Sequence, residues 1–237
     1  TNFEGLRGIG MLGMAGAKDT ALLESTILRL QGIEKVIRPE QTENEWRAPI
    51  VLYEPLVRPE MSGLGFDMFS DPERRETILS AIDTDEPRAT GRLLLGQATG
   101  GEIWPGFLIF SAVDDKRRMP GQPTSILFAS FRADDLFRMI LDKFPALPVH
   151  AQVFDGEIAP QNLLFKAEKP AYGTLVTTRQ LLVAGRPWTI EFRPTAEFTR
   201  PTSQTVPILL GVFGLLLAVA IALLQRYQAR AYEAMSQ

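Results

Sequence analysis

Apolar residues recur at helical spacing in ALLESTILRL, where Leu23, Ile27 and Leu30 share one face. Asp19 stands where a helix cap belongs and Gly32 where a helix ends, so residues 1–37 read as largely helical. RPEQTENEWR (38–47) is a polar connector, and from Ala48 the texture becomes that of strands, first APIVLYEPL and then SGLGFDM. SDPERRETILSAI predicts a helix capped by Ser70 or Asp71, with Pro72 in its first turn and Glu73 complementing the dipole. ATGRLLLGQ and PGFLIFSAV predict two more strands, with a turn in the intervening ATGGEIWPG. DDKRRMPGQP (114–123) is a charged break that reads as a subdomain boundary.

The second half opens with strand TSILFASFR and helix ADDLFRMILDKF, in which Phe137, Ile140, Leu141 and Phe144 make an apolar stripe. Strands VHAQVFD, NLLFKAE, GTLVTTRQLLVAG and RPWTIEFRP follow. A strand–helix–strand–strand order thus occurs twice, which indicates an α+β fold with antiparallel sheets. The domains expected are a helical stalk at 1–40, a first subdomain at 41–120 and a second, membrane-proximal one at 121–200.

Val206–Leu224 is a run of nineteen residues without a charged or polar side chain. As a helix rising about 1.5 Å per residue it matches a hydrocarbon core of about 30 Å, and a lone segment in lipid must be helical. Arg226 and Arg230 follow at once, which favours the cytoplasm on that side and leaves residues 1–205 periplasmic or extracellular. Gly214, Ala218 and Ala222 put small side chains on one face and suggest a homodimer within the lipid. The polar tail 225–237 reads as the start of a cytoplasmic signalling helix leading to an output domain. The abrupt start at Thr1 reads as following an earlier span or signal.

Composition narrows the chemistry. A net charge of −3 and a pI near 5.4 give no basic surface for nucleic acid. No cysteine and a single histidine, His150, leave no thiol nucleophile and little for a histidine-based metal site. Asp83/Asp85, Asp114/Asp115 and Asp134/Asp135 lack metal-loop spacing and read as solvated surface, and no metal or cofactor is expected. Asp67 follows an apolar strand and precedes Met68 and Phe69, so its carboxylate would be desolvated and need a donor: a ligand N–H, the helix at Ser70, or Arg74. Thr90 and Gly91 could present backbone to a ligand. Trp104, Phe107, Ile109 and Phe110 could line an apolar pocket or form core.

The stretch from Ala48 to Gln97 resembles the CHASE domain, the extracellular sensory module of receptor histidine kinases, diguanylate cyclases and adenylate cyclases. The matching features are the strand Pro49–Pro55, Gly65-Phe66-Asp67, Ser70-Asp71-Pro72 with Arg74-Arg75, and Thr90-Gly91 with Leu95 and Gln97. SFRADDLFRMIL and LVAGRPWTIEFRP are similar to the family's second half, so the likeness covers roughly residues 3–198. It implies a long N-terminal helix, two PAS-like subdomains and a small-molecule ligand in the first of them. It also implies a ligand contact at Asp67, with Ala89 and Thr90 along the same pocket. Phe110 stands where the plant cytokinin receptors of this family have threonine, and Ser111-Ala112-Val113 replace a proline-containing run, which argues against cytokinin itself. A sensor with no catalytic residues is therefore expected, with a membrane-anchored interaction module as the alternative and a hydrolase a distant third.

Overall fold

The computed structural model describes residues 5–56, 63–96, 103–113, 124–144, 147–198 and 205–235. It divides into two compact units, Thr1–Ala196 and Glu197–Gln237.

The first unit opens with a strand where a helix is expected. β1 (Leu6–Gly16) runs antiparallel to both β3 (Ile50–Pro55) and β7 (Thr124–Arg132), so the long N-terminal helix is not found. The reason lies in LRGIGMLGMAG. Its glycines weaken a helix, and they let a central strand lie directly beneath large rings. A Cβ at Gly8 would sit 2.6 Å from the Tyr53 hydroxyl, and one at Gly10 2.5 Å from both the Leu52 carbonyl oxygen and the Phe128 ring. Helix begins only at α1 (Thr20–Gln31), which Gly32 ends at φ 68°, its N–H donating to the Leu28 carbonyl over 2.8 Å. Leu23 and Ile27 are buried as their spacing predicts, whereas Leu30 faces solvent.

Five further strands, β2 (Trp46–Arg47), β3, β4 (Arg88–Ala89), β5 (Leu93–Leu95) and β6 (Trp104–Ala112), join β1 and β7 in a seven-stranded sheet. Its path is β2-β1-β7-β6-β4, with β3 also on β1 and β5 also on β6. α2 (Pro72–Thr84) packs over β6; Asp71 caps it by accepting from the Arg74 N–H at 3.1 Å, with Pro72 at its start. β7 thus lies in the first sheet, Ala112 opposite Ile126, although the sequence reading places it beyond the subdomain boundary. Its inward residues Ile126 and Phe128 complete the first core, and that burial decides which sheet it joins. The charged break 114–123 lies outside the described residues.

α3 (Ala133–Asp142) leads to a four-stranded antiparallel sheet of β8 (Val149–Asp155), β9 (Leu163–Lys166), β10 (Thr177–Val183) and β11 (Arg186–Pro194), ordered β10-β11-β8-β9. Phe137 and Leu141 of α3 pack into a second core around Val153, Phe165 and Trp188, while Ile140 and Phe144 are exposed. Trp188 meets Phe107 edge-on at 4.9 Å, and Phe107 stacks on Phe131 at 5.0 Å. One strand of the first sheet therefore supplies the centre of the second core.

α4 (Thr205–Met235) makes up most of the other unit. Its described side chains, 207–222, are all exposed. Among the described residues no helix is long and apolar enough to cross a membrane.

Trp188→Ala is expected to destabilise the first unit by about 3–5 kcal/mol, the usual cost of truncating a buried tryptophan. Because Trp188 packs on Phe107, hydrogen exchange should speed up in β6 as well as in β8 and β11. Loss of protection confined to the second sheet would count against a shared core.

Candidate functional site

Asp67 sits where three segments cross. Its N–H donates to the Arg38 carbonyl at 2.8 Å, while Ile50 and Phe66 exchange a further backbone bond at 3.0 Å alongside. Gly65 holds φ 78° here, and a Cβ on it would come within 2.9 Å of the Val36 carbonyl oxygen. The Asp67 side chain is fully buried. Oδ1 accepts from the Ala48 N–H at 2.9 Å and the Phe69 N–H at 3.0 Å, the second of these capping the short 3-10 turn Met68–Ser70. Oδ2 has no hydrogen-bond partner, and the nearest cation, Arg47 Nη1, stands 3.9 Å away. Arg47 is itself buried and donates to the Pro39 and Glu40 carbonyls at 2.7 and 2.6 Å. Burial raises the Asp67 carboxyl above its ordinary 3.8, against the two backbone bonds and Arg47, which act the other way. Arg74 lies over the Phe66 ring at 5.3 Å and donates to Met68 Sδ, and burial lowers its guanidinium from the ordinary arginine value.

The other residues expected at a ligand pocket are divided between the two faces of the first sheet. Phe110 belongs to the first core, together with Met68 and Phe69 beside Asp67, while Phe107 and Ile109 pack into the second. Thr90 is fully buried; its N–H donates to the Leu108 carbonyl at 2.9 Å and its hydroxyl oxygen accepts from the Leu108 N–H at 3.0 Å. Ala89 pairs with Ile109, and its N–H donates to the Ala184 carbonyl at 2.8 Å. Gly91 donates to Glu73 Oε1 at 2.6 Å. The polar bonds of residues 89–91 thus run to β6, α2 and the second sheet.

The last of these links belongs to a polar clasp that sequence reasoning missed. Arg186 donates to both oxygens of Asp155, at 2.5 and 2.8 Å, and to Glu73 Oε1 at 3.1 Å. Arg92 completes it, its backbone N–H reaching Asp155 Oδ2 at 2.9 Å and its Nε the Leu163 carbonyl at 2.8 Å. The hydrogen bonds it donates to Asp155 raise the Arg186 guanidinium from its ordinary value. The hairpin that presents Arg186 turns through Ala184 (φ 45°) and Gly185 (φ 78°), the left-handed pair of a tight two-residue β-turn. VAGRP carried the turn signal, but nothing in sequence names Glu73 and Asp155 as partners for its arginine.

A cleft of about 260 Å³ opens beside the end of α3, lined by Leu141, Phe144, Val149 and Phe165 with Arg138 and Lys169 among its polar residues. His150 is a buried sheet residue whose Nε2 meets the Gln152 side chain at 3.0 Å. Asp134 pairs with Arg138 at 2.8 Å. Among the described residues no group of three or more histidine, aspartate or glutamate side chains is placed to hold a metal. Gln97, Asp114 and Asp115 lie outside the described residues.

The first unit is thus α+β, with two antiparallel sheets packed around a shared strand. The chain belongs to the CHASE domain family, whose model matches residues 1–165. It is accordingly an extracellular sensor domain, and CHASE is a sensory, non-catalytic domain. Comparison with curated proteins gave no match. Among solved structures the chain is similar to an extracellular ligand binding receptor from Desulfohalobium retbaense DSM5692, at 15% identity and TM-score 0.40. That match covers 61% of this chain and spans only 28% of the receptor. It is also similar to the ligand binding domain of the Pseudomonas aeruginosa PAO1 amino acid chemoreceptor PctC in complex with GABA (13% identity, 79% of this chain, 74% of that one, TM-score 0.35). The domain of PctB from the same organism, in complex with L-Arg, matches at 12% identity over 68% of this chain and 72% of that one, with TM-score 0.33.

Three outcomes follow from this geometry. Because the folded state raises the Asp67 carboxyl, its contribution to stability is complete below the unfolded value of 3.8 and is lost as pH rises through the raised value. Asp67→Asn, neutral at every pH, should therefore gain in stability relative to wild type as pH rises from about 4 to 7 in chemical denaturation. Asp67→Ala, which strips both backbone bonds of their acceptor, should lose about 1–3 kcal/mol. Separately, Arg186→Gln should speed hydrogen exchange at the Gly91 and Arg92 amides while leaving α1 unchanged.

Proposed function

We propose that this chain is the extracytoplasmic small-molecule input of a transmembrane receptor. α4 crosses the inner membrane and carries ligand state to a cytoplasmic histidine kinase or nucleotide cyclase in a longer polypeptide. The observation that carries the reading is α4 itself. Its apolar run extends over residues 206–224, and each side chain described within it, 207–222, is exposed. Water is a poor solvent for such a surface on every side of a helix, and lipid is a good one. Arg226 and Arg230 immediately behind the run support a cytoplasmic C-terminal side. Gly214, Ala218 and Ala222 support a homodimer through a small-residue face.

The ligand is received by the first sheet. Asp67 Oδ2, which the chain leaves without a hydrogen bond, is the acceptor for a ligand N–H, reached when the segment carrying Ala48 and Arg47 parts from it. Ala89, Thr90 and Gly91 then pass the change on, because they share hydrogen bonds with the clasp and with the hairpin at Ala184. Such a ligand signals only by binding the two states with different affinity. The alternative, an assembly module without a small ligand, draws support from β10, whose Leu182 is 72% exposed.

The full chain in lipid nanodiscs should be stabilised in a thermal-shift screen by a small molecule bearing an N–H donor, and Asp67→Asn should weaken it by about 1–3 kcal/mol. A hit bound equally well by that variant removes Asp67 from the site. Recovery of the full chain from lysate without detergent would remove the membrane span.

A further inference from the structure

A second donor-rich cluster lies where β1 begins, β6 begins and β7 ends. Arg7 and Arg132 both lie over the Trp104 ring, their guanidinium carbons 5.3 and 5.4 Å from its centre. Two like charges sharing one indole need a counter-charge, and among the described residues the cluster offers only Asp135, in the first turn of α3. Asp135 lies 3.3 Å from Arg7 Nη2 and 3.7 Å from Arg132 Nε, both longer than a normal N–H···O bond. Counted over the described residues, the cluster therefore keeps one unit of positive charge. Its hydrogen bonding is also incomplete: Arg7 Nε, Arg132 Nε and Trp104 Nε1 are all buried, and none has an acceptor. Buried donors are almost always paired, so three unpaired N–H groups around one ring form an unusual concentration. The side chains of Arg7, Arg132 and Asp135 remain 21, 27 and 26% exposed, so a small molecule can meet their other polar atoms from solvent and reaches the three buried N–H groups by displacing these side chains.

We propose that Arg7, Trp104 and Arg132 form a binding site for a small monocarboxylate. A carboxylate is planar, brings two acceptor oxygens and matches the guanidinium fork. Its single negative charge equals the charge Asp135 leaves uncompensated, whereas a phosphate dianion exceeds it. The indole N–H supplies a further donor. Asp135 competes with the ligand for the same two arginines and so sets the affinity. The site is separate from Asp67 and stands without any role for that residue.

The test is titration calorimetry on the full chain in phosphatidylcholine nanodiscs, with sodium acetate and sodium propionate as probes. Sodium phosphate and sodium chloride at matched ionic strength serve as comparisons. Acetate and propionate should bind saturably. Arg7→Met and Arg132→Met should each weaken binding at least about tenfold, the size expected for losing a charged hydrogen bond. Trp104→Phe keeps an aromatic face for the two guanidinium groups but should also weaken binding by losing the N–H. Asp135→Asn should tighten binding severalfold, a gain that misfolding cannot produce, and Asp67→Asn should leave it unchanged. Carboxylate heats no different from chloride, binding of phosphate in preference to carboxylates, or an Asp135→Asn variant that binds no tighter would each overturn the proposal.

Discussion

Burial of β6 on both faces is the constraint from which the rest of the first unit follows. Leu108 and Phe110 point into the core beneath α1 and α2, while Phe107 and Ile109 point into the core shared with α3 and the second sheet. Phe107 and Phe110 are 2 and 0% exposed, and burying each such side chain contributes about 1.5–3 kcal/mol. A strand this apolar on both sides cannot be an edge exposed to water, so it must have layers above and below. The second sheet supplies one layer, and the two sheets consequently share a core within one compact unit.

That arrangement also explains the polar clasp. Once Trp188 docks on Phe107, the β10–β11 hairpin lies against the outer strand of the first sheet, and the charged groups there must be satisfied at a partly closed seam. Arg186 does this with its fork, binding Asp155 bidentately and reaching Glu73. The same guanidinium touches the sheet that continues toward residue 196 and the first turn of α2. A change at the first sheet and a change at the second are therefore coupled through a few short, charge-assisted bonds.

Against these satisfied groups, two places keep buried polar atoms without partners. Around Asp67 the orphans are its own Oδ2, an acceptor, and the Nε donors of Arg47 and Arg74, and burial keeps the carboxyl easier to protonate. At Trp104 the orphans are donors, flanked by excess positive charge. Around Asp67 an orphan acceptor is mixed with orphan donors, whereas around Trp104 the orphans are donors alone.

Periodicity and turn residues alone were enough to place α2 with its Asp71-Pro72 cap, most strands of both sheets and the apolar run of α4, because each depends on neighbours close along the chain, while the CHASE resemblance rested on the order of motifs such as Gly65-Phe66-Asp67 and Thr90-Gly91. Local pattern failed at β1: a Gly-rich apolar stretch carries no firm period, and only the rings of Tyr53 and Phe128 overhead make a strand the favoured form. It failed again at β7, since membership of a sheet depends on which core its alternate residues fill. Asp67 was legible as a desolvated carboxylate, but its two backbone donors come from Ala48 and Phe69, one of them nineteen positions away. Trp104 was legible as a pocket or core candidate, but Arg7 and Arg132 carried no signal of their own, and Arg132 lies 125 positions after Arg7. Strand pairing brought them to one ring, and long-range pairing of that kind is decided by the three-dimensional fold alone.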